Sequence, residues 1–297
     1  MPRSSLPRLC AVMLALASLP VQAAQNDPLP TDFVALPDGA INIAVYAARQ
    51  SLSGPWMDGD KLRSGEGSIN QFAMRLIRHF SLGEGGKYTL APALVLSGAD
   101  ASANSTLVPL NGREASGFGD VRIGGGFWFH ADRENREFAM LTAFVVLPTG
   151  DYESTRAVNI GENRLKTVLS LGWMKPLGRD WVLDLTPEVA VFGDNTEYRG
   201  NRRLSQDTAY AMTGTLRYKA TQYVHWYGSA QINRGGATQI NGVANTGGPE
   251  NTRLALGTLL VTGENNHVQL RYSKDIQIEN GFRNNGEFAI RWSGVFK

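Results

Sequence analysis

The sequence predicts an all-β fold, a transmembrane antiparallel up-and-down β-barrel of about twelve strands. Three observations lead to it: apolar side chains at every second position, connections that alternate between short and long, and aromatic side chains beside the short connections. After residue 23 no apolar run approaches the roughly 18 residues that a spanning helix requires. The fold class therefore depends on the period of the pattern and not on overall hydropathy.

The first 23 residues have the pattern of a secretory signal peptide that is removed on export. Arg3 and Arg8 give a positive start, Leu9 to Leu19 is apolar, and Val21-Gln22-Ala23 offers small residues at a cleavage site. Removing the signal takes away the only cysteine, Cys10, so no disulfide can form afterwards. It also leaves equal numbers of basic and acidic side chains, which gives a nucleic-acid partner no electrostatic support.

Two regions follow the signal. Residues 24–38 are rich in proline and aspartate and are expected either to plug the barrel lumen or to hang in the periplasm. Residues 39–297 are expected to form the barrel. Twelve segments in that region show two unlike faces: 40–47, 71–80, 87–97, 118–130, 137–147, 164–175, 181–192, 207–219, 223–234, 251–262, 266–277 and 286–296. Segment 137–147 is apolar on both faces, so alternation alone does not orient it.

The lengths of the connections between the predicted strands favour a membrane barrel over a β-sandwich. Short links such as "LGEGG" and "PLGRD" alternate with polar stretches at 51–66, 98–117, 148–163, 193–206 and 235–250, with 278–285 shorter. Outer-membrane barrels have tight periplasmic turns and long external loops, whereas a sandwich does not require this rhythm. Eight aromatics in the apolar register lie near the short links, as a membrane girdle would: Phe80, Tyr88, Phe129, Phe138, Trp173, Trp181, Tyr218 and Phe296.

The opposite register of the strands is polar and is expected to line the lumen. Its charged members are Arg75, His79, Asp120, Arg122, Lys166, Asp184, Glu188, Arg217, Arg253, Arg271, Asp275 and Arg291. One interpretation is a hydrated interior whose charges pair across neighbouring strands. The other is that some of them line a permeation path and set its selectivity. The two interpretations are compatible.

Catalytic and cofactor patterns are weak. "GFGDVR" begins like a dinucleotide loop, but Arg122 takes the place of the third glycine and no helix pattern follows. His225 and Ser229 share a strand face but lie about 13 Å apart, too far for a nucleophile and its base. Clustered histidines or cysteines with metal-ligand spacing are missing from the sequence. We therefore expect no enzyme activity, no metal and no cofactor.

Two prolines fall inside predicted strands. Pro92 and Pro187 lie in the lipid-facing register, and each removes a hydrogen-bond donor from the sheet. The simple expectation is a local bulge. The alternative hypothesis is that one of the breaks opens a lateral gap through which apolar molecules leave the barrel.

"GFGDVRIG" (117–124) and "LPTGDY" (147–152) resemble motifs of the outer-membrane family named for the meta-pathway of phenol degradation. The resemblance covers the mature chain in length and strand rhythm. It implies a barrel that passes small, often aromatic or hydrophobic compounds, somewhat like the fatty-acid channel group. It implies no catalytic residues. The C-terminus departs from the pattern, because Lys297 follows Phe296 where such barrels end on an aromatic.

The sequence thus predicts a monomeric channel or transporter in the outer membrane of a Gram-negative bacterium. Its expected partners are outer-membrane lipid, a small-molecule solute and the barrel-assembly machinery. The alternatives are a structural or surface-interaction barrel that acts through its external loops and, third, an outer-membrane hydrolase.

Overall fold

The computed structural model describes residues 28–61, 65–105 and 113–297, so the predicted signal peptide lies outside the described residues. Twelve long strands follow one another: β1 (Ile41–Met57), β2 (Gly65–Arg78), β3 (Tyr88–Ser105), β4 (Arg122–Asp132), β5 (Glu137–Val146), β6 (Lys166–Leu177), β7 (Trp181–Phe192), β8 (Ala209–Lys219), β9 (Val224–Gly235), β10 (Asn251–Gly263), β11 (Asn266–Ile278) and β12 (Gly281–Phe296). In this part of the chain no helix is long and apolar enough to cross a membrane.

Each long strand pairs antiparallel with its neighbours in the chain, and β12 returns to pair with β1. This closing ladder runs from Ile41 opposite Phe296 to Trp56 opposite Gly281, so it is as long as any other in the sheet. A closed barrel has no free edge and satisfies its backbone groups internally, which a lipid environment requires. The predicted twelve-stranded up-and-down barrel is confirmed.

The outer face carries the apolar register that the sequence predicted. Large side chains that a soluble protein would bury are exposed there, among them Leu256 (72%), Phe288 (69%) and Phe72 (54%). An apolar surface that surrounds a whole barrel fits contact with lipid and not with water. Arg78 is a charged residue in this outward register, and it lies over the ring of Phe80 with 5.1 Å from its guanidinium carbon to the ring centre.

The girdle prediction was wrong at Phe138. This ring is 3% exposed and points into the barrel, where it packs with Trp128 and Met140. A register shift in the β4–β5 ladder, between Trp128 and His130, falls beside it. Because β5 is apolar on both faces, alternation could not decide which face Phe138 would take.

The connections also differ from the prediction. β1, β2, β3 and β12 continue well past their predicted ends, into segments 51–66, 98–117 and 278–285 that the sequence suggested were loops. Two other long connections contain a separate four-stranded sheet: Asn195–Tyr198, Arg202–Gln206, Thr238–Ile240 and Val243–Thr246. Short pieces Asp60–Lys61, Phe80–Leu82 and Glu114–Phe118 pair along β1 or β3, and Glu84–Gly86 forms a 3₁₀ turn.

The predicted strand 118–130 is divided in two. Glu114–Phe118 and β4 both pair with β3, but Gly119 to Val121 between them leave the ladder. Gly98 pairs with Phe118 and Val95 pairs with Arg122, so the three residues 119–121 lie opposite only two residues of β3. The extra residue is a bulge, and it lies where residues 150 and 151 of a long loop hydrogen-bond Asp120 and Phe118.

Pro92 and Pro187 face outward, as predicted. At each of them one ladder lacks two consecutive residue pairs. The β2–β3 ladder is interrupted between the pairs Ile77–Ala93 and Phe80–Leu90. The β6–β7 ladder is interrupted between the pairs Trp173–Leu185 and Ser170–Glu188. The register is the same on both sides of each gap. The expected bulge is therefore wrong, because a missing donor interrupts the ladder without inserting a residue.

Candidate functional site in the barrel lumen

Residues 28–38 lie inside the barrel near the short turns. Phe33 and Ala35 are each 4% exposed and pack against the inward side chains Trp128, Met140 and Met174. Trp128 donates a hydrogen bond from Nε1 to the carbonyl oxygen of Phe33 over 2.8 Å. Because these contacts come from β4, β5 and β6, one side of the segment is held by apolar packing.

The other side of the segment is held by charge. The Asp32 Oδ1 atom accepts hydrogen bonds from Arg75 on β2 and Arg291 on β12, each over 2.6 Å. Burial would raise the pKa of Asp32, but Arg291 and Arg75 together hold it well below its ordinary value of 3.8. Arg291 and Gln269 also donate to the carbonyl oxygen of Pro30. The segment thus contacts strands around most of the barrel's circumference.

Loop 147–165 enters the lumen from the opposite end. Ala157, Val158 and Ile160 are buried there and pack on inward apolar residues of β1, β2 and β3. Those residues are Leu52, Ile69, Ala99, Ala101 and Ala103, with Ala115 and Phe282 beside them. The loop therefore covers one sector of the wall, from β12 through β3.

Two acids anchor this loop. Asp120 accepts the backbone N–H groups of Gly150 and Glu162, both over 2.8 Å. Glu162 in turn accepts from Lys166 over 2.7 Å and from Arg164 over 2.8 Å. Burial would raise the pKa of Glu162, but Lys166 and Arg164 outweigh it and bring the pKa well below its ordinary value of 4.5.

The two sequence motifs behind the family resemblance meet at the break before β4. Asp151 exchanges hydrogen bonds with Phe118, accepting the Phe118 N–H at its carboxylate over 2.5 Å and donating its own N–H over 2.8 Å. Gly117 has a φ of +154°, and a Cβ at this position would collide with the Asp151 carboxylate. A Cβ at Gly150 would meet the backbone of Asp120 at 2.8 Å. The glycines in both motifs allow the close approach of the two backbones.

The twelve predicted lumen residues all project inward. Arg253 and Asp275 pair with each other across β10 and β11 over 2.9 Å, as the hydrated-interior interpretation expects. Four of the other basic residues bind acids outside the predicted set. Arg75 and Arg291 bind Asp32, Lys166 binds Glu162, and Arg271 binds Glu287 over 2.5 Å.

The remaining predicted residues are buried with other contacts. The Arg122 guanidinium interacts electrostatically with the carboxylates of Glu162, Glu188 and Asp120. His79 stacks on Trp128 with 5.3 Å between ring centres. Asp184 is 3% exposed and its carboxylate oxygens have no hydrogen-bond partner among the described residues, while Arg217 donates to the sulfur of Met174.

Three acids of the site were missed from sequence. Glu287 is fully buried and occupies the same register as Arg291, inside the predicted segment 286–296, so the alternation there is sufficient to find it. Asp32 and Glu162 lie outside the strands, where alternation gives no information. Gln71 shares the inward register of Arg75 but carries no charge, so it is not among the charged lumen candidates.

The inner wall is chemically divided. β3 presents Ala91, Ala93, Ala99 and Ala101 inward, and β4 to β7 add the large side chains that pack on Phe33. β8 to β12 present mainly hydroxyl, amide and charged groups, among them Thr213, Thr215, Gln269, Ser273 and Glu287. No group of three or more His, Cys, Asp or Glu side chains suited to a metal ion occurs in the described residues. The site is a lumen whose apolar patches lie on β1 to β7, beside charged side chains of the same strands, and whose wall from β8 to β12 is mainly polar.

Comparison with known proteins shows which family and which solved structures share this architecture. The profile of the family described as MetA-pathway of phenol degradation matches residues 58–292. An outer-membrane channel of Pseudomonas putida F1 superimposes with a TM-score of 0.85 and 26% identity, covering 91% of this chain and 100% of that one. No curated protein matches the chain.

Two autotransporter barrels share only the fold. The transport unit of AIDA-I from Escherichia coli has a TM-score of 0.54 at 12% identity, with 96% of each chain covered. The β domain of BrkA from Bordetella has a TM-score of 0.53 at 12% identity, covering 88% of this chain and 100% of that one.

Proposed function

This chain belongs to the MetA-pathway of phenol degradation family and lies in the outer membrane of a Gram-negative bacterium, and from that premise we propose that it is a diffusion channel for small hydrophobic molecules. The structurally similar protein of Pseudomonas putida F1 is itself an outer-membrane channel. A channel works through the shape and chemistry of its lumen, and it needs no catalytic group. We therefore propose that the protein is not an enzyme.

The apolar side of the inner wall is the observation that carries the proposal. The interior of a water-filled porin is polar, because hydrophilic solutes cross with their hydration water. Here Phe138, Met140 and Val182 line one end of the lumen, while Ile69 and Leu52 line the other. Both patches are covered by segments that enter the lumen, and displacement of those segments would expose the two patches beside the inward charged side chains Arg75, Arg122 and Lys166 of the same strands.

We further propose that residues 28–38 act as a plug and that the inward charged residues hold it. The support is the double contact of Asp32 with Arg75 and Arg291. In this role the charged residues serve the closed state of the channel, and those of the polar side line the path when the plug leaves. Since β12 and β1 complete the wall within one chain, we propose a monomer as the functional unit, inserted by the barrel-assembly machinery.

Lateral release at Pro92 or Pro187 is a separate proposal. Each proline faces the lipid, and each lies where one ladder lacks two pairs. Replacing each proline with valine would restore a donor and strengthen the wall. If hydrophobic solutes leave sideways, uptake should fall in at least one variant while the barrel stays folded. Unchanged uptake in both variants would overturn lateral release and leave the channel proposal intact.

The channel proposal is tested by solute uptake in cells that lack other hydrocarbon channels. The panel should contain phenols, alkylbenzenes, aromatic acids and sugars. We expect expression of the protein to raise uptake of the phenols and alkylbenzenes and to leave sugar uptake at the background level. Equal uptake with and without the protein for every hydrophobic solute would contradict the proposal.

A further inference from the structure

An unsatisfied amide lies in the middle of the lumen. The Gln71 side chain, on β2, is 8% exposed, and neither its Nε2 nor its Oε1 has a hydrogen-bond partner among the described residues. Burying an amide without a partner costs about 1–3 kcal/mol, so native proteins satisfy such groups or use them for binding. Gln71 therefore marks a place where a polar group from elsewhere fits.

A small cavity lies directly against this amide. Its volume is about 20 Å³, enough for about one water-sized group. Alanines, among them Ala48, Ala73 and Ala289, form part of its wall, and Leu29 of the N-terminal segment closes one side. The pocket thus combines a small apolar wall with polar side chains, which are Gln71, Gln269, Arg271, Arg291, Tyr46 and Tyr227.

A second unsatisfied acceptor faces the same cavity. Gln269 on β11 uses its Nε2 to donate to the carbonyl oxygen of Pro30 over 2.7 Å, but its Oε1 has no partner among the described residues. At the cavity the Gln71 Nε2 is a donor without a partner among the described residues, and the Oε1 atoms of Gln71 and Gln269 are acceptors without one. A hydroxyl group satisfies both kinds at once, since it donates one hydrogen bond and accepts others.

We propose that this cavity is a subsite for the hydroxyl group of a small amphiphile, such as a phenol or an alcohol, and that Gln71 is its specificity-determining residue. The hydroxyl occupies the cavity and the apolar body replaces Leu29 against the alanines. This inference rests on the proposed function, and it separates hydroxylated solutes from pure hydrocarbons among the molecules that the channel admits.

The contacts of the N-terminal segment couple binding at the subsite to the position of this segment. Leu29 borders the cavity, and the next residue, Pro30, is held by Gln269 and Arg291. A solute body too large for the cavity must move Leu29, and this motion pulls on the same hydrogen bonds. Hydroxylated solutes should therefore loosen the segment as they bind.

Para-cresol and toluene form a matched ligand pair, since they differ by one hydroxyl. Binding of each is measured by calorimetry to the protein in lipid nanodiscs, with empty nanodiscs subtracted. We expect the wild-type protein to bind para-cresol about tenfold more tightly than toluene, the effect of about one satisfied buried hydrogen-bonding group. In Gln71→Leu, which keeps the volume but loses the amide, para-cresol should bind about tenfold more weakly and toluene unchanged.

Gln231→Leu is the control, since this lumen glutamine on β9 lies away from the cavity and donates to Thr213 over 3.2 Å. It should keep the preference for para-cresol. Gln71→Met serves as a second variant if Gln71→Leu fails to show the heat-dependent gel migration of a folded barrel. Equal wild-type affinities, or a preference that survives loss of the amide, would overturn the subsite alone. Absence of binding by both ligands would instead overturn the proposed channel for hydrophobic molecules.

Discussion

The two segments that enter the lumen are held in different ways. Residues 28–38 are held by side chains of the wall: two arginines bind Asp32, an apolar pocket receives Phe33, and wall side chains donate to the carbonyl oxygens of Pro30 and Phe33. Loop 147–165 is joined to the wall through its backbone, which hydrogen-bonds Phe118 and Asp120 at the break before β4. We therefore expect that the first segment leaves without altering the barrel, whereas displacement of the second disturbs the wall itself. On this proposal the N-terminal segment is the movable one.

Deletion of residues 28–36 should have the largest effect. The segment reaches β2, β11 and β12 on one side and β4, β5 and β6 on the other, so its removal clears the whole cross-section. The β1–β12 closure begins at Ile41 and is unaffected. We expect a several-fold rise in single-channel conductance in planar bilayers. A conductance equal to wild type would mean that loop 147–165 closes the lumen without help.

Gly117→Ala should damage the attachment of the loop. Its Cβ would collide with the Asp151 carboxylate and its φ of +154° disfavours a side chain, so the contact between the two motifs must open. We expect a loss of barrel stability of about 2–3 kcal/mol, since backbone strain contributes about 1 kcal/mol and each lost hydrogen bond between Asp151 and Phe118 about 1 kcal/mol. Heat-dependent gel migration of the purified protein measures this as a lower unfolding temperature.

Gly178→Ala is the matched control for that change. Gly178 lies in a short turn with a φ of +76°, and a Cβ there meets nothing within 4 Å. It therefore carries the conformational cost, about 1 kcal/mol, without the collision. Equal destabilisation by the two alanines would show that the motif contact contributes nothing beyond backbone strain.

Asp32→Asn should loosen the N-terminal segment without removing it. The substitution keeps the shape but leaves Arg75 and Arg291 without their shared acid, at a cost of about 2–4 kcal/mol in docking the segment. We expect faster proteolysis of residues 28–38 and more frequent open events in bilayers. Asp38→Asn is the control, because Asp38 accepts the N–H of Ser81 at an exposed site. Similar behaviour of both variants would mean that the arginine contacts do not hold the segment.

Much of the barrel could be predicted because lipid and lumen impose a two-residue period on every strand. The inward placement of Arg122, Asp184 and Arg271 follows from that period alone. Phe138 could not be placed, because β5 is apolar on both faces. The inward ring of Phe138 packs in the same cluster as Phe33 and Ala35. The period gives information only where the two sides of a strand face different surroundings.

The contacts of the two lumen segments with the wall could not be predicted from the two-residue period, for a related reason. Asp32 and Glu162 act as central acceptors, but neither lies on a strand. The arginine partners of Asp32 come from distant positions, whereas Glu162 binds Arg164 and Lys166 close by in the chain. The motifs around Gly117 and Gly150 could be recognised separately, yet only the fold brings Asp120 and Asp151 into contact with the opposite motif. Contacts between loops and walls depend on the closed barrel, which local sequence does not encode.

Acid should have the smallest effect, and it tests both segments together. The pKa of Asp32 and the pKa of Glu162 are held well below their ordinary values by their cationic partners. For an acid whose pKa falls on folding, the stabilisation is complete above the unfolded pKa and is lost only as the pH drops through the folded one. Both segments should therefore stay in place between pH 7 and about pH 4, with unchanged conductance in planar bilayers. Opening with a midpoint between about pH 4 and pH 5 would mean that one of these acids titrates at an ordinary pKa, and the same titration in Asp32→Asn would assign it.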